Sequence, residues 1–268
     1  MPINPLFQRL GLLLGADALT ASEQRCVAVV GLGGVGSWCA EALVRSGLGR
    51  MILVDCDKVS ASNINRQVQA TTATIGRLKA EALRERLAGI NPDCQVNAIS
   101  AQYTKEHSQE FALEEADYII DAIDILPYKL DLIEQSIALG KILFSSMGMA
   151  QKIDPTQIKT GDIWETTGCP LAKLVRSGLR KRNFTGHFTV VYSPERPLPH
   201  HAFCEEPSQE ARDDAELHQG FCEDPREEAL QGRINGSTVT VTATAGMILA
   251  SLVVRDIWAT QNGSRGRG

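Results

Sequence analysis

Four charged side chains have the types and the order that suit a polyanion. Asp55 closes the apolar run MILVD (residues 51–55), and Arg66 lies in the asparagine-rich stretch SNINRQ (62–67). Lys79 sits in the helix-like GRLKAEAL (76–83), and Asp124 ends YIIDAID (118–124). A carboxylate at a strand end suits ribose hydroxyls, and cations suit phosphate oxygens. A second carboxylate suits a magnesium ion shared with those oxygens. Each also has an ordinary reading: Lys79 as a solvated lysine, Arg66 as a loop brace, Asp124 as a helix cap. Together they favour a triphosphate, whose three to four negative charges (roughly) recruit fixed cations and a magnesium carboxylate.

The nucleotide itself would sit on VAVVGLGGVGSWCAEALVRSG (27–47). Gly31, Gly33 and Gly36, with Gly34 between them, give G-x-G-x-x-G after an apolar run and before an amphipathic one. Glycines let the backbone approach phosphate at the positive end of a helix dipole. Asp55 follows Gly36 by nineteen residues, where ribose contacts are expected. The turn alone does not choose the nucleotide. A nicotinamide or flavin would imply an oxidoreductase; the cations downstream favour ATP with Mg2+.

Holding these groups together requires a parallel sheet. Strand-like runs are expected at 26–30, 51–54, 95–99, 118–122 and 141–145, with helix-like text at 35–46, 76–90, about 106–114 and 126–139. This alternation predicts an α/β, Rossmann-like fold, with a mainly parallel sheet and helices on both faces. The C-terminal part is expected to add antiparallel strands and a buried helix. QKIDPTQIKTGDI (151–163) reads as extended, Pro170 opens a helix to about Lys181, and HFTVVYS (187–193) reads as a strand. One domain is expected over 1–268: a nucleotide-binding core (1–150) and a substrate-side extension (151–268). Residues 194–236 read as a mobile acidic insertion, with ten Asp or Glu between Glu205 and Glu228 against Arg212 and Arg226.

The composition excludes several classes. A chain of 268 residues with net charge −5 has no global attraction for nucleic acid or membrane. Its seven cysteines form no C-x-x-C pair, so a zinc site of paired thiols is not supported. Cys26, Cys39, Cys56 and Cys94 read as buried core thiols, Cys169 as a loop-side thiol at a helix start, and Cys204 and Cys222 fall in the insertion. An odd count without a secretory leader predicts a reducing cytoplasm. VTVTATAGMILASLVV (239–254) is shorter than a bilayer span and reads as a buried helix, not an anchor.

GLGGVGSWCAEALVRSGLG, LVDCDKVSASNINRQ, GRLKAEAL, INPDCQV and DAID together resemble the adenylating family of ThiF, MoeB and HesA, related to ubiquitin-activating enzymes. The resemblance is specific over about residues 9–150. It implies ATP rather than NAD, and adenylation of a carboxylate. It places Asp55 and Asp57 at ribose and the magnesium surroundings, Asn63, Arg66 and Lys79 on ATP, and Asp124 at the metal. It also implies a homodimer in which Arg9 of QRLGLLLG (8–15) reaches the partner's phosphates; without the family, Arg9 would be an ordinary surface arginine.

SSMGMAQKIDPTQIKTGDI (145–163) and CPLAKLVRSGLRKR (169–182) resemble the branch of the family that dehydrates N6-threonylcarbamoyladenosine in tRNA. There the threonyl carboxylate would be adenylated and then attacked from within the substrate, closing a ring. Such a step needs no enzyme nucleophile. The alternative is adenylation of the C-terminus of a ubiquitin-like sulfur carrier, and the family also leaves room for a sulfur-transfer or cysteine-desulfurase partner. An RNA substrate needs a local cationic surface. Lys173, Arg176 and Arg180 share a helical face that Lys181 and Arg182 extend. A solvated charged face is the ordinary reading; a tRNA substrate would make this stripe its phosphate contact.

Overall fold

The central strand runs bury nearly all of their side chains without alternation, and in the computed structural model, which describes residues 4–199 and 236–263, they join the more exposed edge strands in one seven-stranded sheet. β1 (Cys26–Val30), β2 (Arg50–Val54), β3 (Gln95–Ile99), β4 (Tyr118–Asp121) and β5 (Ile142–Ser146) are parallel, and β7 (Thr189–Tyr192) joins β5 in the same sense. β6 (Lys159–Asp162) pairs antiparallel with β7 at the edge, so the antiparallel addition expected from sequence is this one pairing. The strand order is β3-β2-β1-β4-β5-β7-β6. It reverses between β1 and β4, which opens a crevice at their carboxyl ends, the usual ligand position in such sheets.

β1 shows why the runs are continuous. Val27 and Val29 face one layer, with α3 (Gly36–Arg45), α4 (Lys79–Ala88) and the C-terminal helix α7 (Val239–Gly263). Ala28 and Val30 face the other, with α5 (Leu126–Ala138) and α6 (Pro170–Lys181). Both faces are covered, so no polar alternation is needed. α1 (Gln8–Leu14) and α2 (Ala16–Gln24) precede β1, and α2 packs on α7. α7 is apolar and long enough to span a membrane, but Val241, Ala245, Leu249, Val253 and Ile257 are buried in this core. A four-residue repeat of small and branched residues is the stripe of a core helix.

Three expectations change. Residues 106–114 do not form a helix; Ser108–Phe111 and Leu113–Glu115 are separate 3-10 turns around Ala112, whose φ is +49°. Phe111 and Leu113 are both fully buried, and residues two apart cannot share a helix face, so the backbone turns between them. Cys56 is exposed, because β2 ends at Val54 and the chain has left the core. The start of the acidic insertion is fixed: the Glu195 carboxylate accepts from the amides of Ile153 and Asp154, and Leu198 donates to the Gln151 carbonyl at 2.7 Å. Its remainder, with Cys204 and Cys222, lies outside the described residues.

α3 and α4 are joined by a buried carboxylate. Glu41 receives Arg86 Nε at 2.6 Å and Arg45 Nη2 at 2.8 Å. Burial alone would raise its pKa, but the two guanidiniums outweigh burial and hold it below the ordinary value. A depressed folded pKa contributes stability above the unfolded value, lost as pH falls through the folded one. Glu41→Gln is therefore expected to cost about 1.5–3 kcal/mol at pH 7. In urea melts, the gap to wild type should close below the ordinary glutamate range; a pH-independent gap would contradict the pairing.

Candidate active site

The site is built where β1, β2 and β4 end. Gly31 has φ +90°, and a Cβ there would lie 2.7 Å from the Ala122 carbonyl oxygen of the neighbouring loop. A Cβ on Gly36 would lie 1.9 Å from the Gly31 carbonyl oxygen. Only glycine fits these two positions, which bring the turn against the β4 loop. Gly33 is different: a side chain there would meet nothing within 4 Å, so the space ahead of α3 is open. Gly34 lies against Thr242 of α7. The arrangement leaves an uncrowded helix N-terminus, suited to an anion.

Asp55 fixes the turn from the next strand. Its Oδ2 accepts the Leu32 amide at 2.6 Å, and its Oδ1 accepts the Asp57 amide at 2.9 Å. Burial raises the Asp55 pKa, and Asp57 adds to this, while Lys79 and the two amides oppose it. Lys79 is the first residue of α4 and is 7% exposed; its ammonium donates to Asp57 Oδ2 at 2.6 Å. Burial works against its charge, yet Asp55, Asp57 and Asp124 overcome that and raise its pKa. Lys79 is thus a buried, fully charged cation rather than a solvated one. Three of the sequence-expected carboxylates surround it electrostatically.

Arg66 is in the turn that follows the 3-10 segment Ala61–Asn63. Its Nη1 donates to the Ser62 carbonyl at 2.7 Å and to Asn65 Oδ1 at 3.0 Å, and its own carbonyl accepts the Trp38 indole N–H at 3.0 Å. Asn63 is buried and closes a capping box with Ser60, its Oδ1 accepting the Ser60 amide. Asp124 is exposed beyond β4. Arg9 is exposed on α1, whose main packing partner is α2.

The sequence reading missed four supporting side chains. Gln69 donates to the Leu32 carbonyl at 2.8 Å, and Trp38 holds Arg66 through its backbone. Asp121 and Lys129 form a buried ion pair beneath the Asp124 loop. The available signals were an acid ending an apolar strand and a lysine on the apolar face of α5, beside Leu126, Leu130 and Ile133.

Cys169 is the loop residue directly before α6, where the sequence places it, but it is buried and its side chain makes no cap hydrogen bond. The basic stripe is divided. Lys173 and Lys181 are exposed, and Arg180 is exposed with its guanidinium 5.3 Å from the Trp164 ring centre. Arg176 is half-buried and donates to Thr166 Oγ1. Arg182 is bound to Asp131 at 2.6 Å and Glu134 at 3.0 Å on α5.

A glycine turn at the switch point of a parallel sheet, backed by a buried lysine among carboxylates, defines a nucleotide-binding α/β protein. The ThiF family matches residues 8–265, and the chain belongs to it. It is 38% identical over 252 residues to the tRNA threonylcarbamoyladenosine dehydratase of Bacillus subtilis, covering 94% of each chain. A solved structure of the Escherichia coli tRNA N6-threonylcarbamoyladenosine dehydratase in complex with ATP superposes with a TM-score of 0.79, at 29% identity, over 97% of this chain and 98% of that one. The sulfur carrier protein adenylyltransferase of Thermus thermophilus is 35% identical over 130 residues, 48% of each chain.

Proposed function

We propose that this protein is an ATP-dependent tRNA threonylcarbamoyladenosine dehydratase. The observation that carries the reading is the buried Lys79 ammonium, held among Asp55, Asp57 and Asp124 at the edge where the open Gly33 turn meets the crevice. In this reading the turn and α3 receive the phosphates, and Lys79 and Arg66 neutralise them. Asp55, already fixed by two amides, keeps lone pairs for ribose. Asp124 would hold Mg2+, which supplies charge shared with phosphate oxygens. The described residues contain no cluster of three candidate metal ligands. That donor set suits magnesium, which takes one or two carboxylates and completes its shell with phosphate and water.

The residues then need only orient and neutralise. The threonyl carboxylate attacks the α-phosphorus and pyrophosphate leaves. The substrate's own nucleophile next attacks the activated carbonyl and AMP leaves, so the net change in the nucleoside is loss of water. The high effective concentration of a tethered nucleophile makes an enzyme thiol unnecessary, consistent with a buried Cys169. Release of AMP should therefore depend on tRNA that carries threonylcarbamoyladenosine. Equal release with tRNA lacking the modification would sink the substrate assignment.

A homodimer that supplies Arg9 in trans is part of this reading. The α1 segment carrying Arg9 also exposes Leu12 (81%) and Leu13 (77%), and Leu6 precedes them exposed. Adjacent exposed leucines favour a protein contact.

The tRNA is proposed to meet Lys173, Arg180 and Lys181, whose charges face solvent, while Arg176 and Arg182 brace α6. The triple variant Lys173→Ala/Arg180→Ala/Lys181→Ala should raise the tRNA KM and leave the ATP KM unchanged. Its salt slope should fall by about one unit per lost phosphate contact. Collapse of ATP affinity with intact tRNA binding would move the stripe to another role.

A further inference from the structure

β4 ends on a charge that solvent does not reach. Asp121 and Lys129 are both 0% exposed, with Lys129 Nζ 2.8 Å from Asp121 Oδ2. Two hydrogen bonds run from this pair to Ile123, just before Asp124; a third comes from β5, and a backbone bond ties Lys129 to Ile125, just after it. Asp121 Oδ1 accepts the Ile123 amide at 3.1 Å, and Lys129 Nζ donates to the Ile123 carbonyl at 2.9 Å. Ser145 Oγ, at the end of β5, donates to Asp121 Oδ2 at 2.5 Å, and the Lys129 amide donates to the Ile125 carbonyl at 3.0 Å. Both polar groups of Ile123, including the carbonyl of the peptide bond to Asp124, are therefore gripped by one buried pair. From the other side the loop abuts the glycine turn, where a Cβ on Gly31 would sit 3.1 Å from the Ile123 nitrogen.

Core stability does not call for this arrangement. Two apolar side chains of similar volume would fill the space, and replacing a buried pair by such residues is often neutral or stabilising. A charged pair adds direction: it fixes the path of the loop between β4 and α5 to hydrogen-bond precision. The residue that this path presents is Asp124, exposed and within electrostatic reach of Lys79. We infer that Asp121 and Lys129 are positioning residues, which hold the Asp124 carboxylate at the magnesium–phosphate site without touching substrate. The inference rests on the proposed reading of Asp124 as the magnesium carboxylate.

The test uses the full-length protein and its thermal stabilisation by ATP, titrated with MgCl2 in the absence of tRNA. Asp121→Asn/Lys129→Met removes both charges together, which avoids stranding either one. Its magnesium midpoint is expected to rise by about 10- to 100-fold, the usual effect of losing groups that orient a metal ligand. Turnover should fall over a similar range with an unchanged tRNA KM. Ser145→Ala removes one hydrogen bond and leaves the ion pair, so it remains folded if the double variant does not. It should shift the midpoint in the same direction by a few-fold. An unshifted midpoint in whichever of these variants folds overturns the positioning role. Asp124→Asn separates the two ideas: if it shifts the midpoint while the others do not, only the positioning role fails. If Asp124→Asn itself leaves the midpoint unchanged, the magnesium reading beneath the inference fails.

Discussion

Lys79→Ala is expected to lower ATP-dependent turnover by about 10²–10³-fold, the scale of removing one preorganised charge from a developing anion. The ammonium is buried, so water cannot replace it as it would an exposed lysine. It is also part of the local balance of charge. Burial raises the Asp55 pKa and Lys79 opposes that rise. In the variant Asp55 should rise further, moving the acidic limb of ATP binding to higher pH. The fold should survive, because the partner Asp57 carboxylate is half-exposed and can be solvated. Arg66→Ala should lose turnover similarly, since its guanidinium is placed by the Ser62 carbonyl and Asn65 and not by core packing. Activity within about threefold of wild type, in a folded Lys79→Ala protein, would contradict the phosphate assignment.

The second large effect concerns Arg9. Arg9→Ala and Asp124→Ala are each expected to be inactive as pure proteins. Co-refolded in equal amounts, they should recover about a quarter of wild-type activity, because half the dimers are hybrids and one of their two sites is complete. The position of Arg9 supports this: it is exposed on a helix that packs chiefly on α2, beside exposed leucines. A monomer at micromolar concentration by sedimentation, with full activity, would remove the basis for the trans arginine.

The parallel core was legible because its signal is local and redundant. β1 through β5 are short apolar runs separated by amphipathic ones, and they occur within a residue or so of where those patterns place them. The glycines and Asp55 fall in one strand–helix–strand unit, which sets their distances along the chain, and Lys79 opens the next helix. Position alone was harder. The charge around Lys79 could not be read from GRLKAEAL, because Asp55, Asp57 and Asp124 lie in other parts of the chain. Partners remote in sequence hid the rest. Arg182 looked like free positive charge until Asp131, 51 residues away, was seen to bind it. The Asp121–Lys129 pair was obscured because a lysine on an apolar helix face reads as an error in the pattern until its acid is found. At 106–114 the helical text was misleading, since Phe111 and Leu113 both turn inward.

ATP is proposed to be spent on dehydrating a modified nucleoside within tRNA. Incubating tRNA that carries threonylcarbamoyladenosine with the protein, ATP and MgCl2, then digesting the tRNA and weighing its nucleosides by mass spectrometry, separates this from activation of a sulfur carrier. The expected result is a product lighter than threonylcarbamoyladenosine by one water, formed with one AMP and one pyrophosphate, and formed about 10²–10³-fold more slowly with Lys79→Ala. An unchanged nucleoside, with ATP consumed only when the C-terminus of a ubiquitin-like sulfur carrier is added, would contradict it.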